Sequence, residues 1–114
     1  MGNDRGWKAS ELIGLNVYTT GDEEKGEIKD LLIGSDGKIK YAAVSFGGFL
    51  GIGDKLFAVP MEAIRLERQD GDINLARINV TEESIKERQG FDDDHWPAEA
   101  DRGFVVTTGN RVSR

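Results

Sequence analysis

The block Ser45-Phe46-Gly47-Gly48-Phe49-Leu50-Gly51-Ile52-Gly53-Asp54-Lys55 places four glycines within seven residues. An apolar run, Tyr41 to Phe46, enters it, and a second, Leu56 to Pro60, leaves it. Glycines in that density supply positive φ and close backbone approach, so the chain turns here between two strands. A phosphate-binding loop would need Gly-x4-Gly-Lys-Ser/Thr followed by a helix. Gly48 and Gly53 have the spacing, but Asp54 puts a negative charge where phosphate would sit, and the next segment reads as strand. The dinucleotide fingerprint also fails, because Gly51-Ile52-Gly53 runs on to Leu56 where a third glycine is required. Gly47, Gly48, Gly51 and Gly53 are therefore read as a structural corner, closed by Pro60. Phe49, Leu50 and Ile52 then cap the core or form an exposed apolar lip.

The rest of the chain follows the same rhythm of short apolar runs and tight turns. Residues 1–6 read as a polar, disordered arm, and Lys8 to Ile13 reads as one helical turn ended by Gly14. Strands are expected over 15–19, 27–33, 38–46, 55–59, 64–67 and 73–80, with turns at Asp36-Gly37 and Asp70-Gly71. Pro60 cannot donate to a ladder and marks a strand end or edge. In the last strand the apolar phase shifts between Ile73/Leu75 and Ile78/Val80, which predicts a bulge near Ala76 or Arg77. Thr81 caps a helix over 81–90 that Gly90 stops, with Glu82 and Glu83 at the positive end of its dipole. Close turn spacing without long helices predicts an all-β fold, a small six-stranded antiparallel barrel with one short C-terminal helix.

Composition then narrows the function. The 114 residues suit one domain, and 15 basic against 21 acidic side chains give a net charge of −6. That balance argues against DNA and generic RNA binding, which depend on basic surface, and against adhesion to anionic lipid. No apolar run approaches a membrane span, and the polar start has no signal-peptide core, so a cytoplasmic protein is expected. The absence of cysteine excludes disulfides, thiolate catalysis and Cys-ligated zinc.

Residues 91–114 change character. Phe91 to Asp101 holds five acids and no Lys or Arg, while Arg102 to Arg114 holds three arginines and no acid. This reads as a tail, disordered or docked through its aromatics. Phe91 and Trp96, with acids between them, form either a short linear motif or a strap across the barrel.

Several pieces together resemble the PRC-barrel family. They are Ser10-x-Leu12-Ile13-Gly14, Gly26-x-Ile28-x-Asp30-Leu31, Asp36-Gly37-x-Ile39, and the glycine block running into Ala58-Val59-Pro60. The resemblance covers residues 7–80, and the Thr81 helix resembles that of many stand-alone bacterial members. It implies a small six-stranded barrel. The family's best-known members are the cytoplasmic domain of a photosynthetic reaction-centre protein and the C-terminal domain of a ribosome maturation factor, which act by binding a protein partner. Several stand-alone members form homodimers. What the resemblance carries over is the module, with non-enzymatic interaction as its role.

Chemistry finds little purchase. His95 is the single histidine. Asp92, Asp94 and His95 are the candidates for holding a divalent ion, against the plainer reading of a solvated acidic run. Glu27, Asp30, Glu62 and Glu67 could pair as acid and base, but no motif brings two together. The expectation is a non-catalytic protein-interaction module without cofactor, self-associating as a homodimer and binding a protein partner whose identity the residues do not give. Phe49, Leu50 and Ile52 are its preferred interaction site, with Phe91 and Trp96 second. The alternatives are an RNA- or ribosome-associated maturation factor, and a small-ligand or metal binder using the barrel mouth.

Overall fold

The computed structural model describes residues 6–20, 24–46 and 55–105. The described elements are, in order, α1 (Ala9–Leu12), β1 (Asn16–Tyr18), β2 (Glu24–Ile33), β3 (Ile39–Ser45), β4 (Leu56–Val59), β5 (Ile64–Gln69), β6 (Asp72–Ile78) and α2 (Glu82–Lys86). Short 3-10 turns stand at Met61–Ala63 and Arg102–Phe104. The mostly-β expectation holds, and no helix among the described residues is long and apolar enough to cross a membrane.

The strands form one sheet in the order β4-β3-β2-β1-β6-β5. The all-antiparallel expectation fails at its centre, where β1 pairs β6 in parallel, with Val17 opposite Ala76 and Tyr18 opposite Arg77. The other four ladders are antiparallel. Local turns set the direction of consecutive strands, but no turn joins β1 to β6. Strands β2 to β5 are their crossover, and the direction of that pairing is set by the whole path. Among the described residues no ladder joins β4 to β5, so the sheet is mixed and unclosed. A one-residue bridge from Leu56 to Phe91 adds a further extended piece beyond β4.

Two local features carry the register. Asp70 and Gly71 sit at φ 57° and 87°, the left-handed pair of a tight hairpin whose twist suits the flanking strands β5 and β6. The β6 bulge is real but lies earlier than expected. Glu67 pairs Leu75 and Arg68 pairs Ile73, so Asn74 is the extra residue. That slip puts Ile73 in phase with Ala76, Ile78 and Val80 against the main core.

The main core gathers Leu12, Leu15, Val17, Ile28, Ala42, Val44, Phe46, Phe57, Val59, Ala76, Ile78, Val80, Ile85 and Phe104. Phe57 lies edge-on to both Phe46 and Phe104, at 5.5 and 6.4 Å between ring centroids. α2 contributes Ile85, and Thr81 caps it by accepting the Ser84 amide at 3.1 Å. The helix ends at Lys86, short of the expected 90. Gly90 has a different task from stopping it. A Cβ there would meet the Leu56 carbonyl oxygen at 2.9 Å and the Phe57 ring at 3.2 Å, so glycine lets the chain lie flat on β4.

Candidate functional site

β3 and β4 are buried on both faces, unlike an ordinary barrel strand with a wet outer side. Their inner residues Ala42, Val44, Phe57 and Val59 join the main core. Their outer residues Tyr41, Ala43, Leu56 and Ala58 form a second cluster with Phe91, against which Leu32, Trp96 and Ala100 pack. Small alanines at the paired positions 43 and 58 leave a shallow floor between Tyr41 and Leu56.

The C-terminal segment lies on that floor and on the free edge of β4. The Leu56 amide donates to the Phe91 carbonyl at 2.9 Å, and the Phe91 amide donates back to Leu56 at 2.7 Å. Ten residues later the Asp101 amide donates to the Ala58 carbonyl at 2.8 Å. Edge groups that would otherwise template another chain are thereby occupied. Between these two attachments Trp96 stacks on Tyr41, with centroids 6.3 Å apart and planes 19° from parallel. Phe91 packs against both, at 5.2 Å from Trp96 and 6.1 Å from Tyr41. The Tyr41 hydroxyl donates to the Pro97 carbonyl at 2.7 Å, and burial pushes its pKa above the usual phenol value. The Trp96 indole N–H donates to the Asp93 carbonyl at 2.7 Å, satisfying the polar handle of the ring.

Charge is arranged around this floor in complementary pairs. Lys55 reaches Asp92 at 3.7 Å and Lys40 reaches Glu99 at 3.2 Å, so two lysines rim the floor and meet acids of the tail. Arg88 lies 3.3 Å from Asp101, whose carboxylate also accepts the Gly103 amide at 2.9 Å. That latch turns the chain so that Phe104 enters the main core. Arg102 holds Glu62 through two contacts of 3.2 and 2.7 Å, and this hydrogen bonding, then the guanidinium charge, keeps the Glu62 carboxyl below the usual range. A cleft of about 430 Å³ remains between the tail and β4, lined by Ala58, Gly90, Phe91, His95, Pro97 and Asp101 among others.

The residues singled out from sequence fall into three groups. Phe91 and Trp96 come together, on one floor, as an intramolecular strap. Phe49, Leu50, Ile52 and the glycines Gly47, Gly48, Gly51 and Gly53 lie outside the described residues, while Pro60 is fully buried and follows β4 at φ −65°. Asp92, Asp94 and His95 are exposed, and only Asp92 and His95 approach each other, at 3.7 Å. Among the described residues no three His, Asp or Glu side chains are grouped to hold a metal. The carboxylates considered as acid and base are engaged separately: Glu27 with Lys29, Glu62 with Arg102, and Glu67 with Arg77. Asp30 accepts the neighbouring Leu31 amide.

Sequence reasoning missed Tyr41 as the stacking platform, Phe104 as an inner anchor and the Arg88–Asp101 latch. Leu56-Phe57-Ala58-Val59 carried a signal, since an antiparallel strand with one wet face would alternate with polar residues. Comparison with curated proteins gives no match. A family model, PRC-barrel domain, matches residues 6–82, which takes in every described strand and stops where α2 begins. The chain therefore belongs to the PRC-barrel domain family, with a C-terminal strap beyond the matched region.

Proposed function

We propose that the chain is a non-catalytic, self-associating protein-interaction module that works in the cytoplasm as an adaptor or scaffold. One observation carries the reading. The edge of β4 takes backbone hydrogen bonds at two points, Phe91 on Leu56 and Asp101 on Ala58, while the β3–β4 floor takes Phe91 and Trp96 from the looped segment that these two points hold. The bridge at Phe91 is a one-residue strand addition, and the aromatic docking beside it is peptide recognition carried out within one chain. The acids that a catalytic reading would need are engaged with separate cations or a backbone amide. Self-association is assigned to Phe49, Leu50 and Ile52, because three large apolar side chains in one glycine-rich block are the kind of patch that marks a contact when exposed.

Light scattering tests the self-association. The wild-type chain should have twice the monomer mass, and Phe49→Asp with Leu50→Asp should give a folded monomer. An unchanged mass in the double variant would remove the lip from the interface. A tagged pull-down from native lysate tests the role. A protein partner that resists nuclease supports the adaptor reading, and partners lost to both nuclease and salt would replace it with an RNA- or ribosome-associated one.

A further inference from the structure

We infer that the outer β3–β4 face is a groove for an acidic segment of a partner protein that carries an aromatic residue between its acids, and that residues 91–100 occupy it as an internal stand-in. The groove is layered apart from the fold. Tyr41, Ala43, Leu56 and Ala58 form a cluster separate from the main core, so the floor can be uncovered while the inner packing stays intact. The stand-in is held at its ends by Phe91 on Leu56 and by Asp101 on Ala58. Between them Asp92, Asp93, Asp94 and His95 are all exposed, and a cleft of about 430 Å³ opens beside Ala58 among the strap's own residues, Phe91, His95, Pro97 and Asp101 included.

The chemistry of the ligand follows from what the groove offers. The Leu56 amide and carbonyl ask for one residue that pairs through both its backbone groups. The Tyr41 ring asks for a flat side chain, and its hydroxyl asks for a carbonyl one residue further on. Lys40 and Lys55 at the two rims ask for acids on either side of the aromatic. A partner segment with an aromatic residue between acids meets every demand. Occupation by residues 91–100 lowers the apparent affinity for that partner by the fraction of time the groove stands open.

The inference rests on the interaction-module reading for the kind of ligand, and its test is separate from that of self-association. The probe is a fluorescein-labelled synthetic peptide of residues 89–101, titrated by anisotropy into full-length wild type and full-length Trp96→Ala. Removing the indole weakens the stand-in but leaves the groove and the probe unaltered. Trp96→Ala should bind the probe roughly tenfold tighter or better than wild type. Adding Lys40→Glu should reverse most of that gain. A folded Trp96→Ala chain that binds no tighter than wild type overturns the inference. Should that variant not fold, Glu99→Lys replaces it, because Glu99 is 82% exposed and its reversal sets two cations together at the rim. It should bind about threefold tighter, as one exposed pair is worth up to ~1 kcal/mol, and no change overturns the inference. A wild-type dimer that Trp96→Ala splits into monomers would give the groove to a second copy's tail, overturning the choice of occupant. A monomeric wild type would end the self-association reading while leaving the peptide titration to decide its own question.

Discussion

Replacing Trp96 by alanine should open the strap without unfolding the barrel. An aromatic of this size buries roughly 150–250 Å² when fully enclosed. Trp96 is mostly buried, and because a denatured chain already hides part of such a ring about half of that area is newly buried on folding, which at about 25 cal/mol per Å² gives about 2–3 kcal/mol. The loss falls on the outer layer alone, because Trp96 touches Tyr41 and Phe91 and is absent from the main core. Native-state hydrogen exchange reads it directly. The Phe91 and Asp101 amides, bonded to the Leu56 and Ala58 carbonyls, should exchange roughly 30- to 150-fold faster, the factor that 2–3 kcal/mol corresponds to. The Val44 and Val59 amides, inside the β3–β4 ladder, should keep their protection. Two results would refute the reasoning. One is unchanged exchange at Phe91 and Asp101, which would mean that the indole does not hold the strap. The other is equal acceleration at Val44 and Val59, which would mean that strap and barrel open as one unit.

Phe104→Ala should behave oppositely: its ring is 1% exposed in the main core, so global stability should fall by about 3–5 kcal/mol in a urea titration, and a loss below about 1 kcal/mol would place the ring outside the cooperative core. Gly90→Ala should lower the melting temperature, with a cost of about 1–3 kcal/mol, since its Cβ would press on the Leu56 carbonyl and the Phe57 ring; an unchanged melting temperature would show that β4 yields freely. The Glu62 carboxyl is depressed by Arg102, so the stability it contributes is present above the ordinary glutamate value and is lost as pH falls through the lower folded value. Arg102→Met should return the Glu62 titration, followed by NMR, to the ordinary range and flatten the acid limb of the stability curve; a Glu62 titration unmoved by the substitution would break the assignment.

Elements with a local cause are legible in the sequence. The Asp70-Gly71 hairpin needs two residues with positive φ, and Asp-Gly is a sequence that supplies them. Thr81 announces α2 because its hydroxyl is in reach of the Ser84 amide. Where the cause is distant, sequence misleads. The parallel β1–β6 pair depends on the path of about 50 intervening residues, and no tripeptide encodes it. Gly90 looks like a helix stop, while the demand on it comes from β4, some thirty positions upstream, so α2 ends earlier than that glycine suggests. The bulge lies earlier than expected because Ile73 and Leu75 do not share a face: with Asn74 as the extra residue between them, Ile73 packs on the main core and Leu75 does not.

The site is half visible for a related reason. Composition marks 92–101 as acidic and polar, and acidic runs are usually solvated. Here the acids are indeed at the surface, with Asp92, Asp93 and Asp94 all exposed. What docks the segment is spaced between and around them: Phe91, Trp96 and Phe104, together with backbone groups that composition cannot count. The complementary half of the signal lies in β3 and β4. Tyr41-Ala42-Ala43-Val44 and Leu56-Phe57-Ala58-Val59 have no charged or amide side chain to turn toward water. A strand pair apolar on both sides requires a cover on both, and the inner core supplies only one. The aromatics of the tail and the bare outer face of β3–β4 are thus two halves of one requirement, and either alone is ambiguous. Together they make residues 91–104 part of the folded packing, and under the proposed peptide groove that cover is what a partner's segment would have to displace.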